Sequence, residues 1–173
     1  MLVRSRDLFI TALTRALKDR NIPVAGADRL SLTDHIAVQD LIALGRVMLT
    51  PQDDLSLAAS LKSPLLGLDE DELFSLAHNR SGTLFEALEG RRDEEPYKRA
   101  HQRLTRWAGR VGNMPVYEFY ARILGDDRGR HDFATRLGSE AEDVLDAFLA
   151  LTLDREQSGL PGLHAFIENL LME

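Results

Sequence analysis

Thr33 to Leu76 read TDHIAVQDLIALGRVMLTPQDDLSLAASLKSPLLGLDEDELFSL, and this stretch carries three helix signals and two turn signals. Thr33 is a good N-cap with Asp34 in the first turn, where a carboxylate suits the helix dipole. Ala37, Leu41, Leu44 and Met48 then recur at helical spacing. Thr50-Pro51 ends that helix and opens another, because proline cannot continue a helix but fits its first turn. Leu55, Ala58 and Leu61 form the second apolar stripe. Ser63-Pro64-Leu65-Leu66-Gly67 breaks the chain again, and Asp69 with Glu72 has the spacing of a capping box that starts a third helix. Three short helices joined by tight turns make a compact module, suited either to binding DNA or to serving as a scaffold.

Towards the N-terminus, Ile22-Pro23-Val24-Ala25 reads as a short strand whose proline confines it to an edge or a strand start. Leu8, Phe9, Ala12, Leu13, Ala16 and Leu17 predict an amphipathic helix over 6–20 with Ser5 as its cap. Met1-Leu2-Val3-Arg4 reads as a strand that begins at the first residue, as expected of a piece excised from a longer chain. The expected organisation is a strand-helix-strand over 1–30 and a helical body over 31–173.

Towards the C-terminus, Ser81 to Gly90 predicts a short helix with Leu84, Phe85 and Leu88 inward, and Arg91 to Glu95 form a charged connector. A longer helix is expected from Pro96 to Val111, with Tyr97, Ala100, Leu104, Trp107, Ala108 and Val111 on its apolar face. Arg99, Arg103, Arg106 and Arg110 share the opposite face and span about 16 Å at roughly 1.5 Å per residue. Partial pairing of these arginines with Glu94, Glu95 or other acidic neighbours is the simpler reading of such a stripe. A helix with Val116, Phe119, Tyr120 and Ile123 follows, then a polar loop over 125–130. Ser139 with Glu142 reads as a capping box for a helix bearing Val144, Leu145, Phe148 and Thr152. After the break at Ser158 to Gly162, Leu163, Phe166, Ile167, Leu170 and Leu171 define a final apolar helix.

The chain has 173 residues, 44% of them hydrophobic, enough for one core. It has no cysteine, so disulfides and thiolate metal sites are excluded, which fits the cytoplasm. No apolar run approaches the roughly 20 residues of a membrane span. A net charge of −7 means that any binding to nucleic acid must be local, and 6% aromatic content leaves little material for base stacking. There is no GxxxxGK[ST] to cradle a triphosphate and no GxSxG elbow. His35, His78, His101, His131 and His164 form no short metal-ligand pair. Asp53-Asp54 and Asp69 to Glu72 lack calcium-loop spacing and read as carboxylates at helix N-termini. No catalytic constellation is found.

The order of elements, with Asp40, then Asp53-Asp54, then Pro64 with Gly67-Leu68, resembles the accessory 2B subdomain of UvrD-type superfamily 1 DNA helicases. IPVAGADRLSLTDHIAVQDLIAL and LKSPLLGL are most similar to the AddA branch, which belongs to bacterial helicase–nuclease repair complexes. The resemblance is specific over residues 1 to 80. It implies a mostly α, 2B-like subdomain with a small two-strand remnant of a RecA-like motor domain. Leu2, Val3 and Arg4 would match the motif in which an arginine reaches the ATP phosphates, with ATP and Mg²⁺ belonging to the parent motor. The remainder would contact duplex DNA, at Gly67 and Leu68 and along Arg99, Arg103, Arg106 and Arg110, or a partner helicase/nuclease subunit. One departure is chemical: the family's turn reads arginine-glycine-isoleucine-glycine, whereas Leu66, Gly67, Leu68 and Asp69 stand here, and a carboxylate beside phosphate is repulsive. The alternative is a self-standing helical interaction module without a motor.

Overall fold

The structure, a computed structural model, describes residues 32–160 and 162–172. Nine helices run through them: α1 Ile36–Leu49, α2 Asp54–Lys62, α3 Glu70–Ala77, α4 Leu84–Gly90, α5 Tyr97–Ala108, α6 Val116–Leu124, α7 Gly129–Leu137, α8 Glu140–Gln157 and α9 Gly162–Met172. No strand occurs among the described residues, so the mostly helical expectation is met. The strand-helix-strand expected over 1–30, with Arg4 in it, lies outside them.

α1 is the central post. It is apolar on more than one face, with Ala37, Val38, Leu41, Ile42, Leu44, Gly45 and Val47 all buried, and a helix of that kind must be covered from several sides. α2 and α5 pack on it, as do α8 and α9, while α3 and α4 pack around α2, and α6 and α7 complete the second half against α8. On that side Tyr120, Phe148 and Phe166 meet edge to face or tilted, with ring centroids 4.9 and 5.9 Å apart for Tyr120–Phe148 and Phe148–Phe166. Tyr120 donates its hydroxyl to the Leu41 carbonyl at 3.0 Å, which ties α6 to α1. Among the described residues no helix is long and apolar enough to cross a membrane.

Several local expectations shift. α1 is capped by His35, whose Nδ1 accepts from Ala37 N at 3.2 Å, two residues after the expected Thr33. Pro51 lies in the turn before α2, not in its first turn; the cap is Asp53, which accepts from Ser56 N and Ser56 Oγ. That cap sets the phase of α2. Leu57 and Leu61 face inward with Ser56 and Ser60, whereas Leu55 is 81% exposed. Of the expected stripe Leu61 is buried and Ala58 packs against the core, but Leu55 is misplaced, because nine residues fit more than one helical phase. Ala108 and Leu171 are likewise exposed rather than inward.

The Ser139–Glu142 box does not form. Ser139 is in helical backbone (φ −65, ψ −21) with no side-chain cap bond, and Glu142 N donates instead to the Ser139 carbonyl at 3.0 Å. The polar loop over 125–130 gives way at Gly129 to α7, which periodicity missed because it buries only Gly129 and Phe133. A Cβ at Gly129 would come within 2.7 Å of the Ile123 carbonyl oxygen and 2.8 Å of Leu65 Cδ2, so a glycine is what lets α7 sit against the Leu65 turn.

Candidate nucleic-acid interface

Two stretches far apart in sequence, the turn after α2 and the arginine face of α5, form one surface. Gly67 adopts a positive φ of 71°, and a Cβ there would lie 3.6 Å from Arg99 Nη2. Arg103 donates through Nη1 to the Leu65 carbonyl. Pro64, Leu65, Leu66, Arg99, Arg103 and Asp132 line a polar cleft of about 120 Å³. Of the six residues expected to contact DNA here, Gly67 and Leu68 belong to the turn and Arg99, Arg103 and Arg106 to the helix beside it, while Arg110 lies in the turn that follows α5, because the helix expected to run to Val111 ends at Ala108.

Their chemical states differ. The turn amides are committed internally: Leu66 N and Gly67 N donate to the Ser63 carbonyl at 3.2 and 2.8 Å, and Leu68 N to the Leu61 carbonyl at 2.9 Å. Asp69 N donates to Glu72 Oε2, within the expected capping box. Leu68 itself is buried. The turn thus presents no amide from 66–69 to a phosphate, and Asp69 adds a negative charge beside it.

Arg103 also donates to Asp132 Oδ2 at 2.9 Å and to the Asp127 carbonyl at 3.2 Å, which makes it a brace between the turn, the Asp127 loop and α7. Arg106 pairs with Asp127 Oδ1 at 3.2 Å, and Arg110 pairs with Asp127 Oδ2. Trp107 Nε1 donates to the same Oδ2 at 2.9 Å. Burial alone would raise the Asp127 pKa, but hydrogen bonds from Arg110, Trp107 and Arg106 outweigh it and hold this carboxyl below the ordinary range. The partners of the stripe are therefore Asp127 and Asp132, not Glu94 and Glu95. Arg99 is exposed and makes no hydrogen bond or ion pair among the described residues, and Arg106 keeps 58% of its side chain exposed.

The remaining acidic pairs are structural. Asp53 caps α2, and Asp54 reaches across to accept from Leu84 N at 2.8 Å at the start of α4 while pairing with Arg80. Among the described residues no group of three or more histidine, aspartate or glutamate side chains is placed to hold a metal ion. A nucleotide finds no P-loop in the sequence, and Arg4 lies outside the described residues. Missing from the sequence reading were Asp127 and Asp132, which lie 17 to 29 residues from their arginine partners. Their only local signal is that the polar loop is acidic.

No protein-family model matches the chain. Curated relatives named as the A subunit of an ATP-dependent helicase/nuclease do match. The protein of that name from a Thermoanaerobacter species is 26% identical over 175 residues, covering 96% of this chain and 14% of the relative. That of Listeria innocua is 32% identical over 95 residues, covering 50% of this chain and 8% of the relative. That of Levilactobacillus brevis is 36% identical over 86 residues, covering 49% and 7%. The chain is thus similar to a segment of an AddA-type protein, the branch that its motifs implied, and spans about one seventh of the length of the Thermoanaerobacter relative.

Proposed function

We propose, from a chain that matches the A subunit of a helicase/nuclease along nearly its whole length, that this protein is a non-catalytic accessory part of such an enzyme in the repair of broken DNA. It acts by contact: the α5 face lays Arg99 and Arg106 against duplex phosphates beside the Ser63–Leu68 turn. The observation that carries this reading is the convergence of the turn and the arginine helix on one surface, with Arg99 exposed and unpaired among the described residues. An acidic chain gains nothing from its overall field, so binding is weak, indifferent to sequence and steeply dependent on salt.

Duplex binding at two salt concentrations tests it. Replacing Arg99 and Arg106 together by alanine should lower affinity and flatten the salt slope by about one unit for each phosphate no longer neutralised. Unchanged affinity in the double variant would sink the reading. The chain alone should release no phosphate from ATP, since a parent motor would supply the P-loop and Mg²⁺.

A second reading, docking onto a partner of the helicase–nuclease, is favoured by the internal commitment of the turn amides and by the exposure of Leu55 and Leu171. Loss of association with that partner on Leu55→Asp, with duplex binding intact, would support it over the first.

A further inference from the structure

Arg106 and Trp107, near the end of α5, and Arg110, in the turn just after it, aim three donors at the two oxygens of Asp127. Two guanidinium groups and an indole N–H converging on one acceptor are what an anion site requires, and charge-assisted bonds of this kind are the stronger ones. The Asp127 side chain is only 6% exposed and Trp107 is fully buried, whereas Arg106 keeps 58% of its side chain exposed, so the cluster meets solvent chiefly through Arg106. Two positive charges face one negative charge, so the cradle stays net positive with the carboxylate seated. A backbone phosphodiester brings the same single charge and a similar pair of acceptor oxygens.

Asp127 also arrives from a loop rather than from a helix. Its N–H donates to the Arg122 carbonyl and Arg128 N to the Gly125 carbonyl, each at 3.0 Å, while Gly125, Asp126 and Arg128 lie exposed. The carboxylate can therefore leave the cradle without a helix being unwound. We infer that Arg106 and Arg110 form a phosphate site at the C-terminal end of α5 that Asp127 occupies in the free protein and that the backbone of duplex nucleic acid takes by displacing it. The inference rests on the nucleic-acid reading above and adds a latch to it: with Asp127 seated, Arg99 is the first contact, and Arg106 and Arg110 join only when the acid withdraws.

Trp107 is the only tryptophan in the sequence, and its indole N–H bonds to the displaced group, so its emission reports the latch. A short duplex titrated into the full chain at low salt should bind and shift Trp107 emission. Inorganic phosphate at matched ionic strength should leave that emission unchanged. Asp127→Asn keeps an acceptor for the indole but removes the competing charge. It should tighten duplex binding about tenfold or more and steepen the salt slope by about 0.9 for each additional phosphate neutralised. Arg99→Ala should weaken duplex binding in both backgrounds.

Duplex binding with unshifted Trp107 emission, together with a wild-type slope in Asp127→Asn, overturns the latch and leaves the Arg99 contact standing. A shift caused by inorganic phosphate alone also overturns it, since the site would then serve the free ion. Absence of duplex binding in both proteins at low salt overturns the latch and the reading beneath it. Should Asp127→Asn fail to fold, the emission titration of the unsubstituted chain decides by itself.

Discussion

Asp40 places a carboxylate among the buried residues of α1. It is 8% exposed, and burial raises its pKa from 3.8 to about 6, with the positive charge of Arg136 pulling the other way. A folded-state pKa above the unfolded one favours the protonated form on folding. That stability is fully present below about pH 4 and is lost as pH rises through about 6. At neutral pH the ionised group then costs about 3 kcal/mol. Asp40→Asn should accordingly stabilise the chain by about 2–3 kcal/mol near neutral pH and by little near pH 4, as read from urea midpoints. An equal gain at both pH values would refute the burial argument. Gly45 meets the opposite constraint. A Cβ there would lie 2.5 Å from Tyr120 Oη and 2.8 Å from Ile167 Cδ1, and the Tyr120 hydroxyl is pinned by its bond to Leu41. Gly45→Ala should lower stability by about 1–3 kcal/mol through overpacking, and an unchanged melting temperature would contradict it.

Helix starts separate the sequence signals that form from those that do not. Asp69 and Thr83 have extended backbone, with ψ of 177° and 159°, so each side chain turns back onto the amide three residues on, and Glu72 and Glu86 complete the two boxes. Ser139 follows Gly138, whose φ of 87° turns the chain so that Ala141 N and Glu142 N find the carbonyls of Gly138 and Ser139. No amide is left for the hydroxyl. Asp69→Ala and Thr83→Ala should each cost about 1 kcal/mol, whereas Ser139→Ala should change stability by no more than a few tenths. Chemical denaturation of the three variants checks the order. A Ser139→Ala loss as large as the others would mean that its cap forms in solution.

Across the whole molecule the arginine face divides by task. Arg103 ties the turn at Leu65, the loop at Asp127 and α7 at Asp132 together, while Arg136 adds a second tie from α7 to the Lys62 carbonyl. Arg103→Ala strands the Asp132 carboxylate and frees the turn, and should destabilise by about 1–3 kcal/mol. Arg99→Ala should stay within about 0.5 kcal/mol of the parent. The reverse order in denaturant midpoints would show that the brace is misassigned. It follows that a change in duplex affinity on removing Arg103 reads folding as well as contact, whereas one on removing Arg99 reads contact.

Legible in the residues alone are the breaks and most inward faces: the turns at Thr50-Pro51 and Ser63 to Gly67, the Asp69–Glu72 box, and the buried sides of α1, α5 and α6. These follow from backbone chemistry and helical period acting over a few residues. The sequence also places the candidate surface on the turn and on the four arginines. Packing between distant elements is what turns Leu55 to solvent, sets α7 against Leu65, and gives three of those arginines Asp127 and Asp132 as partners. A nine-residue helix fits several phases until a cap and a neighbouring element select one. An arginine's partner across 17 or more residues depends on which loop the tertiary fold brings alongside α5, and no periodicity carries that distance.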